Sequence, residues 1–432
     1  MLEAIVRHLE KSDNIDRSTY VWNSVSVFVM AMQGPVIQAV VSRTSGATDF
    51  GIVSIAFSVA TLMMYVGQYG LRRFQASDVN EEFSFEEYHG MRIITCSMLV
   101  IASLGYCLYG QAFMGYSPVK FGVIFMVCMI KLIMAYSDVF HGNMQQKGRF
   151  DVAAKATAIR YTWEIVIFCA AVAATHDILI SSVVCVATSA VMMVLLSMNA
   201  NRHYCDSLRP VFRASAIRSL FIEGFPLFVG MFLNTYVSNA PRYAIDRYLT
   251  DDIQAVFSSI FMPVFVVQIV AQFIFNPLIT SYAHIWNRKT RASYDEFVRR
   301  IRRMSLVVAG LAVLALIAAA TIGIPVLSAV FSLDLSPYKK ELMIIMLGGG
   351  PLAFSVYFST IIAIIRAQKS LMICYGAASV MALVLSGTLV KNYGITGASW
   401  MYVLLMGVLA LSLLASVMLR LSREKQRYEA AA

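Results

Sequence analysis

Residues 121–140 read FGVIFMVCMIKLIMAYSDVF, a stretch in which Lys131 and Asp138 are the sole charged residues. About 20 mainly apolar residues is what an α-helix needs to cross a hydrocarbon layer ~30 Å thick. The segment therefore reads as a membrane-spanning helix, with Lys131 near its middle, too deep for easy snorkelling. A cation held there faces an interior cavity or a partner, because charge in lipid is costly.

The same reading extends along the whole chain. Runs of this kind cover Tyr20 to Val41, Gly51 to Leu71, Ile93 to Gly110, Phe121 to Phe140, Tyr161 to Thr175 and Ile178 to Met198. They continue over Phe221 to Asn239, Ala255 to Ala283, Met304 to Val330, Leu342 to Ile365, Leu371 to Val390 and Tyr393 to Leu419. The predicted fold class is an all-α polytopic membrane protein with about 12 transmembrane helices. Composition agrees: 432 residues are 59% hydrophobic and 14% charged, against about 25% charged in soluble domains. Mean hydropathy is +0.68. Soluble enzymes, nucleic-acid-binding proteins and secreted disulfide scaffolds are excluded on these grounds.

The formal charge of +10 is explained by where lysine and arginine fall. Most sit on the N-terminal segment, the even-numbered connections and the C-terminal tail. Arg43, Lys120, Arg242, Arg247, Lys339, Lys340 and Lys391 lie on the opposite side. Basic residues are retained in the cytoplasm, so both termini are expected there. The first run lacks a small-residue cleavage site and reads as a retained helix.

The polar connection from Asn199 to Leu220 divides the chain into six-helix halves, residues 1–212 and 213–432. Short echoes link them. Gln145-Gln146-Lys147 follows the fourth run and Ala367-Gln368-Lys369 the tenth, while Thr48-Asp49 precedes the second and Thr250-Asp251 the eighth. Parallel repeats of this kind imply a pseudo-twofold axis along the membrane normal, as in transporters. Seven cysteines with no CxxC pair, and six scattered histidines, supply no metal or redox motif, so neither cofactor nor metal is expected. The connections are short, and the acidic run Glu81, Glu82, Glu86 and Glu87 reads as solvated surface. Nothing has the form of an enzymatic domain.

Three segments carry a family resemblance: Tyr69-Gly70-Leu71-Arg72-Arg73-Phe74-Gln75-Ala76-Ser77-Asp78; Ser137-Asp138-Val139-Phe140-His141-Gly142 running to Gln146-Lys147-Gly148-Arg149-Phe150-Asp151; and Asn239-Ala240-Pro241-Arg242-Tyr243-Ala244-Ile245-Asp246-Arg247-Tyr248-Leu249. With the helix number, the two halves and the late Gly394-Ile395-Thr396-Gly397-Ala398, they resemble the polysaccharide-exporter branch of the multidrug/oligosaccharidyl-lipid/polysaccharide (MOP) superfamily. The resemblance implies a flippase of the bacterial cytoplasmic membrane. It would move undecaprenyl-pyrophosphate-linked oligosaccharides by alternating access for capsule, O-antigen or exopolysaccharide synthesis, with polysaccharide polymerases as possible partners. About twelve helices rather than fourteen sets it apart from the lipid II flippase subgroup.

Such a cargo needs a hydrated, cationic path for its pyrophosphate. Lys131 could meet the pyrophosphate as a point charge, or pair with Glu164 on the next helix. Glu164 is its partner or a proton-coupling carboxylate. Arg242, Asp246 and Arg247, at the outer end of the seventh helix, line or gate the path, or Arg242 and Asp246 form a local ion pair. Arg72 and Arg73 collect the anionic headgroup or anchor the inner end of the second helix. Asp138 and Arg149 serve gating or folding. Trp22, Asn23, Gln33, Asn234 and Asn239 hydrogen-bond sugar or act as interhelical glue. Pro35, Pro226, Pro241 and Gly348-Gly349-Gly350-Pro351 are expected to interrupt their helices. The rival readings are a MATE-like multidrug or cation antiporter, which would want acids for cationic drugs, and a membrane polysaccharide polymerase or glycosyltransferase.

Overall fold

Polar residues at the ends of the apolar runs start and stop the helices. In the computed structural model, which describes residues 2–78, 81–275, 278–365 and 367–430, every regular element among the described residues is helical. Arg366, one of the basic residues after the tenth run, lies outside them. Asn14 caps α2 (Ile15–Thr44) by accepting from the Arg17 amide. Tyr69 and Gly70, both left-handed (φ 50° and 71°), turn the chain from α3 (Ala47–Gln68) into the short α4 (Leu71–Ser77). Ser84 and Glu87 form a reciprocal capping box at the start of α5 (Phe85–Phe113). Ser117 and Pro118 open α6 (Pro118–Gln146), and Gly148 (φ 75°) turns it into α7 (Phe150–Thr175). Asp177 accepts two backbone amides at the start of α8 (Ile178–Met192), which runs through a π-helical turn, Met193–Met198, into α9 (Asn199–Asn201).

The chain packs as two compact units, Met1–Phe232 and Leu233–Ala432, and α10 (Ala214–Tyr248) contributes to both. The second unit continues with α11 (Asp251–Phe275), α12 (Leu278–Asn287) and α13 (Arg291–Ala318). A π-helical turn at Ala319–Gly323 leads from α13 into α14 (Ile324–Phe331), and α15 (Lys339–Ile364) follows. The last elements are α16 (Gln368–Leu385), with a π-helical turn at Ser386–Val390, and α17 (Lys391–Ala430). The Thr-Asp echoes both open the second long helix of a half. Asp49 and Asp251 sit in first turns, where a carboxylate complements the helix dipole.

Among the described residues, eleven helical segments are long and apolar enough to cross a membrane, and the last, Lys369–Arg427, is 59 residues long. At 1.5 Å per residue it would span about 88 Å if straight, far beyond one crossing. It folds back at Gly394 (φ 58°, ψ −137°). Cys374 on α16 touches Ser416 on α17 at 3.6 Å, and Gly397 abuts the Leu389 carbonyl. These contacts across the reversal make α16 and α17 an antiparallel pair and the candidate crossings among the described residues twelve, so the chain is a multi-pass membrane protein.

Several details depart from the sequence reading. The eighth run is helical over Asp251–Phe275 and Leu278–Asn287, and Asn276 and Pro277 between them lie outside the described residues. Helices α2, α10 and α15 continue through Pro35, Pro226, Pro241 and Pro351, while three π-helical turns supply the irregularities instead. The short helix α1 (Leu2–Glu10) has no counterpart in the apolar runs. Val6 and Leu9 on one of its faces pack on Met144, Val152, Ala153, Ala156, Leu196 and Ala200. Its open C-terminal carbonyls are taken by cations of the α6–α7 corner. Lys155 Nζ donates to the Leu9 and Lys11 carbonyls at 2.9 Å each, and Arg149 to that of Glu10 at 2.7 Å. Buried Asp151 holds Arg149 at 3.0 Å and accepts from Ser12 at 2.7 Å.

A side chain at position 394 or 397 would oppose the α16–α17 reversal. Gly394 has a backbone conformation that L-residues avoid, and a Cβ at Gly397 would lie 2.1 Å from the Leu389 carbonyl oxygen. Gly394→Ala and Gly397→Ala are each expected to cost about 1–3 kcal/mol. The measurement is a lowered thermal midpoint of the purified protein in detergent.

Candidate functional site: buried cations of the first unit

Four helices of the first unit bring charged and polar side chains together at the depth of Lys131. Its Nζ donates to Gln33 Oε1 on α2 at 2.7 Å and lies 5.6 Å from the ring centroids of both Phe57 and Tyr161. The other end of the Gln33 amide donates to Glu164 Oε2 on α7 at 2.6 Å. Glu164 Oε1 accepts from Arg160 Nη1 at 2.5 Å and from the Ser189 hydroxyl on α8. The ion pair of Lys131 with Glu164 expected from sequence is thus replaced by a relay through Gln33, whose amide offers both a donor and an acceptor. Among the described residues, no carboxylate touches Lys131 directly.

Asp138 stands seven residues beyond Lys131 on α6, two turns along the same face. It binds two arginines: Arg72 Nη1 from α4 at 3.1 Å and Arg92 Nη2 from α5 at 3.3 Å. Arg92 is fully buried and also donates to the Gly67 carbonyl at 2.6 Å, where α3 ends. The Arg72 guanidinium lies over the Phe150 ring. Between the Asp138 and Glu164 centres is a cavity of about 100 Å³, whose lining includes Asn23, Arg72, Asp138, His141, Thr157 and Arg160. One water needs only about 10–15 Å³ on this scale, so the cavity is large enough for several. His141 bonds Ser197 at 2.9 Å through Nε2. Arg72, Arg92, Lys131 and Arg160 therefore face two carboxylates, an excess of two positive charges in a low-dielectric interior.

Arg160 and Arg92 are misplaced by the sequence reading, which assigns them to connections. Both lie inside helices, 1% and 0% exposed. The usable signal for Arg160 is its four-residue spacing to Glu164 on Ala-rich sequence with no helix breaker. Gln33, weighed as sugar ligand or glue, is the link between Lys131 and Glu164. Arg73 is exposed beside Arg72, and Arg149 belongs to the α1 anchor.

The remaining candidates lie in the second unit. Arg242 does not pair with Asp246. Its Nη1 donates to Asn239 Oδ1 at 2.9 Å, and its guanidinium stacks 4.7 Å from the Phe261 centroid. Phe261 meets Tyr402 edge-on at 4.8 Å. Asp246 is buried, Asn234 is exposed, and the exposed Arg247 lies over the Tyr248 ring at 5.5 Å. Arg242 is thus a second cation with no carboxylate in contact among the described residues.

Twelve candidate crossings among the described residues, with buried, partly neutralised cations between them, define a polytopic membrane protein. Residues 18–283 match the family described as polysaccharide biosynthesis protein, and the chain belongs to that family. Its fold is that of the MOP superfamily. The chain is similar to the inward-facing structure of a multidrug resistance MATE family transporter of that superfamily, with a TM-score of 0.75 at 11% identity, covering 94% of this chain and 99% of that one. It is similar to the lipid II flippase MurJ in an inward closed conformation, with a TM-score of 0.71 at 12% identity, covering 92% and 87%. The Vibrio cholerae MATE transporter VcmN in its bent form matches with a TM-score of 0.56 at 12% identity, covering 98% and 99%. No curated protein matches the sequence. These structural neighbours are transporters or flippases, and identities this low carry the fold alone.

Removing Arg160 would strand the Glu164 carboxylate. Breaking one partner of a buried ion pair typically costs 3–5 kcal/mol, so Arg160→Met is expected to destabilise by about that much. Arg160→Met combined with Glu164→Gln recovers part of the loss, because no carboxylate is then stranded, while Lys131 loses the acid it reaches through Gln33. Thermal unfolding of the single and double variants in detergent reads the difference.

Proposed function

We propose that this protein is a flippase that carries undecaprenyl-pyrophosphate-linked oligosaccharide across the bacterial cytoplasmic membrane for capsule, O-antigen or exopolysaccharide synthesis. Both termini are cytoplasmic, and the halves 1–212 and 213–432 alternate access. The observation that carries the reading is the charge balance of the first unit. Lys131 reaches a carboxylate only through Gln33, and four buried or half-buried cations share two acids. A diphosphate supplies the missing negative charge, with Arg72 and Lys131 as its first contacts and Asn23 toward the sugar. Arg242, stacked on Phe261 without an acid in contact, offers a second station, with Arg247 and Asn234 on the same helix. Asp138, Glu164 and Asp246 hold cations in place or release them as the protein moves. A cationic drug would meet like charge at these positions, which weighs against the multidrug reading. The polymerase that consumes the translocated repeat unit is the expected partner.

The test is mass spectrometry of lipid extracts from the native host after depletion of the protein, with surface glycan stained in parallel. The expected result is accumulation of a polyprenyl-pyrophosphate oligosaccharide of complete repeat length and loss of surface glycan. Incomplete lipid-linked chains would indicate an enzyme instead, and an unchanged lipid profile with raised drug sensitivity a multidrug exporter. Lys131→Ala and Arg242→Ala are each expected to reduce export at least about tenfold, the effect of losing one charge-assisted contact of 1.5–3 kcal/mol, with membrane insertion intact. Normal export in both variants rules out the cationic path.

A further inference from the structure

The start of α13 carries another set of cations that no acid neutralises. Among its basic neighbours, Arg288 and Arg300 pair with Glu296 at 3.9 and 2.8 Å, and Arg291 with Asp295 at 3.5 Å. Arg299, Arg302 and Arg303 are exposed and form no ion pair among the described residues. At 100° per residue they fall on one face of the helix. The same stripe runs on through Leu306, Val313, Leu314 and Ile317, which are 70%, 57%, 62% and 55% exposed. From Leu306 to Ile317 the helix rises about 16 Å, the depth of one leaflet of a ~30 Å hydrocarbon layer.

A cationic turn followed by an apolar strip one leaflet deep follows the order of groups along a phospholipid. The turn is also held rigid. Arg300 Nη1 donates to Ser281 Oγ on α12 at 3.2 Å, and the Tyr282 hydroxyl donates to the Arg300 carbonyl at 3.2 Å. Trp286, with Lys289 4.4 Å from its ring centroid, lies on the same elbow, and tryptophan favours the headgroup level. Guanidinium forks bind phosphate oxygens two at a time. We propose that this face of α13 is a binding site for an anionic phospholipid, with its phosphate on Arg299, Arg302 and Arg303 and an acyl chain along Leu306 to Ile317. The site is independent of what the transporter carries.

Native mass spectrometry of the full-length protein in detergent, titrated with phosphatidylglycerol or with phosphatidylcholine of the same acyl chains, tests this. The expected result is preferential binding of phosphatidylglycerol. Arg299→Gln/Arg302→Gln/Arg303→Gln weakens it on the order of 100-fold, at roughly fivefold per arginine, and leaves phosphatidylcholine binding unchanged. Arg288→Gln/Arg291→Gln, which removes cations already paired with acids, changes it by less than about threefold. If the triple variant does not fold, each single substitution reads its own fivefold step. Wild-type phosphatidylglycerol binding by the triple or all three single variants would overturn the proposal. So would equal affinity for phosphatidylcholine, or displacement of phosphatidylglycerol by undecaprenyl phosphate at lower concentration, which would make the face a cargo site.

Discussion

The Glu164 carboxylate is the point on which the interior of the first unit depends. It accepts from Gln33 of α2, Arg160 of α7 and Ser189 of α8, and through Gln33 it reaches Lys131 of α6. A lone carboxylate in hydrocarbon would lose its hydration without return, and this one is buried only because three donors converge on it. The same acceptance fixes the relative rotation of those helices, since each donor must keep its face toward the same two oxygens. Asp138 repeats the device two turns along α6 with Arg72 and Arg92, and ties in the end of α3 through the Gly67 carbonyl.

Two acids organising four cations leave a cluster that is held together and still carries more positive than negative groups. If each cation had its own carboxylate, the interior would be neutral and indifferent to a phosphate. If the acids were absent, the cations would repel one another and the helices carrying them. The intermediate arrangement keeps the fold intact while retaining positive potential around a cavity large enough for water. Polar interiors of this kind are costly in lipid, and they persist at functional positions.

Most of the architecture could be read from apolar run length, because a membrane leaves few alternatives to a helix about 20 residues long. The reversal at Gly394 lies just beyond the Val390–Tyr393 boundary drawn from hydropathy. The site was legible only where a charge interrupts an apolar run, as with Lys131 and Glu164. Arg92 and Arg160 border apolar runs, so the orientation rule absorbs them as loop residues; the four-residue spacing to Glu164 is a local signal for Arg160, but nothing local reveals that the Gly67 carbonyl receives Arg92. Gln33 carries no charge and gives no such signal, although it makes the contact that Lys131 needs. Helix α1 escaped because its apolar face is too short to register as a span.

The attachment of α1 bears on how the chain is made. The Leu9 carbonyl is satisfied by a lysine 146 positions later, and the apolar face of α1 is covered by α6, α7, the π-helical turn and α9. During synthesis the first residues therefore emerge long before their partners exist, and four crossings are threaded while α1 waits without its clasp. The contacts that hold α1 can form only once α7 has been made.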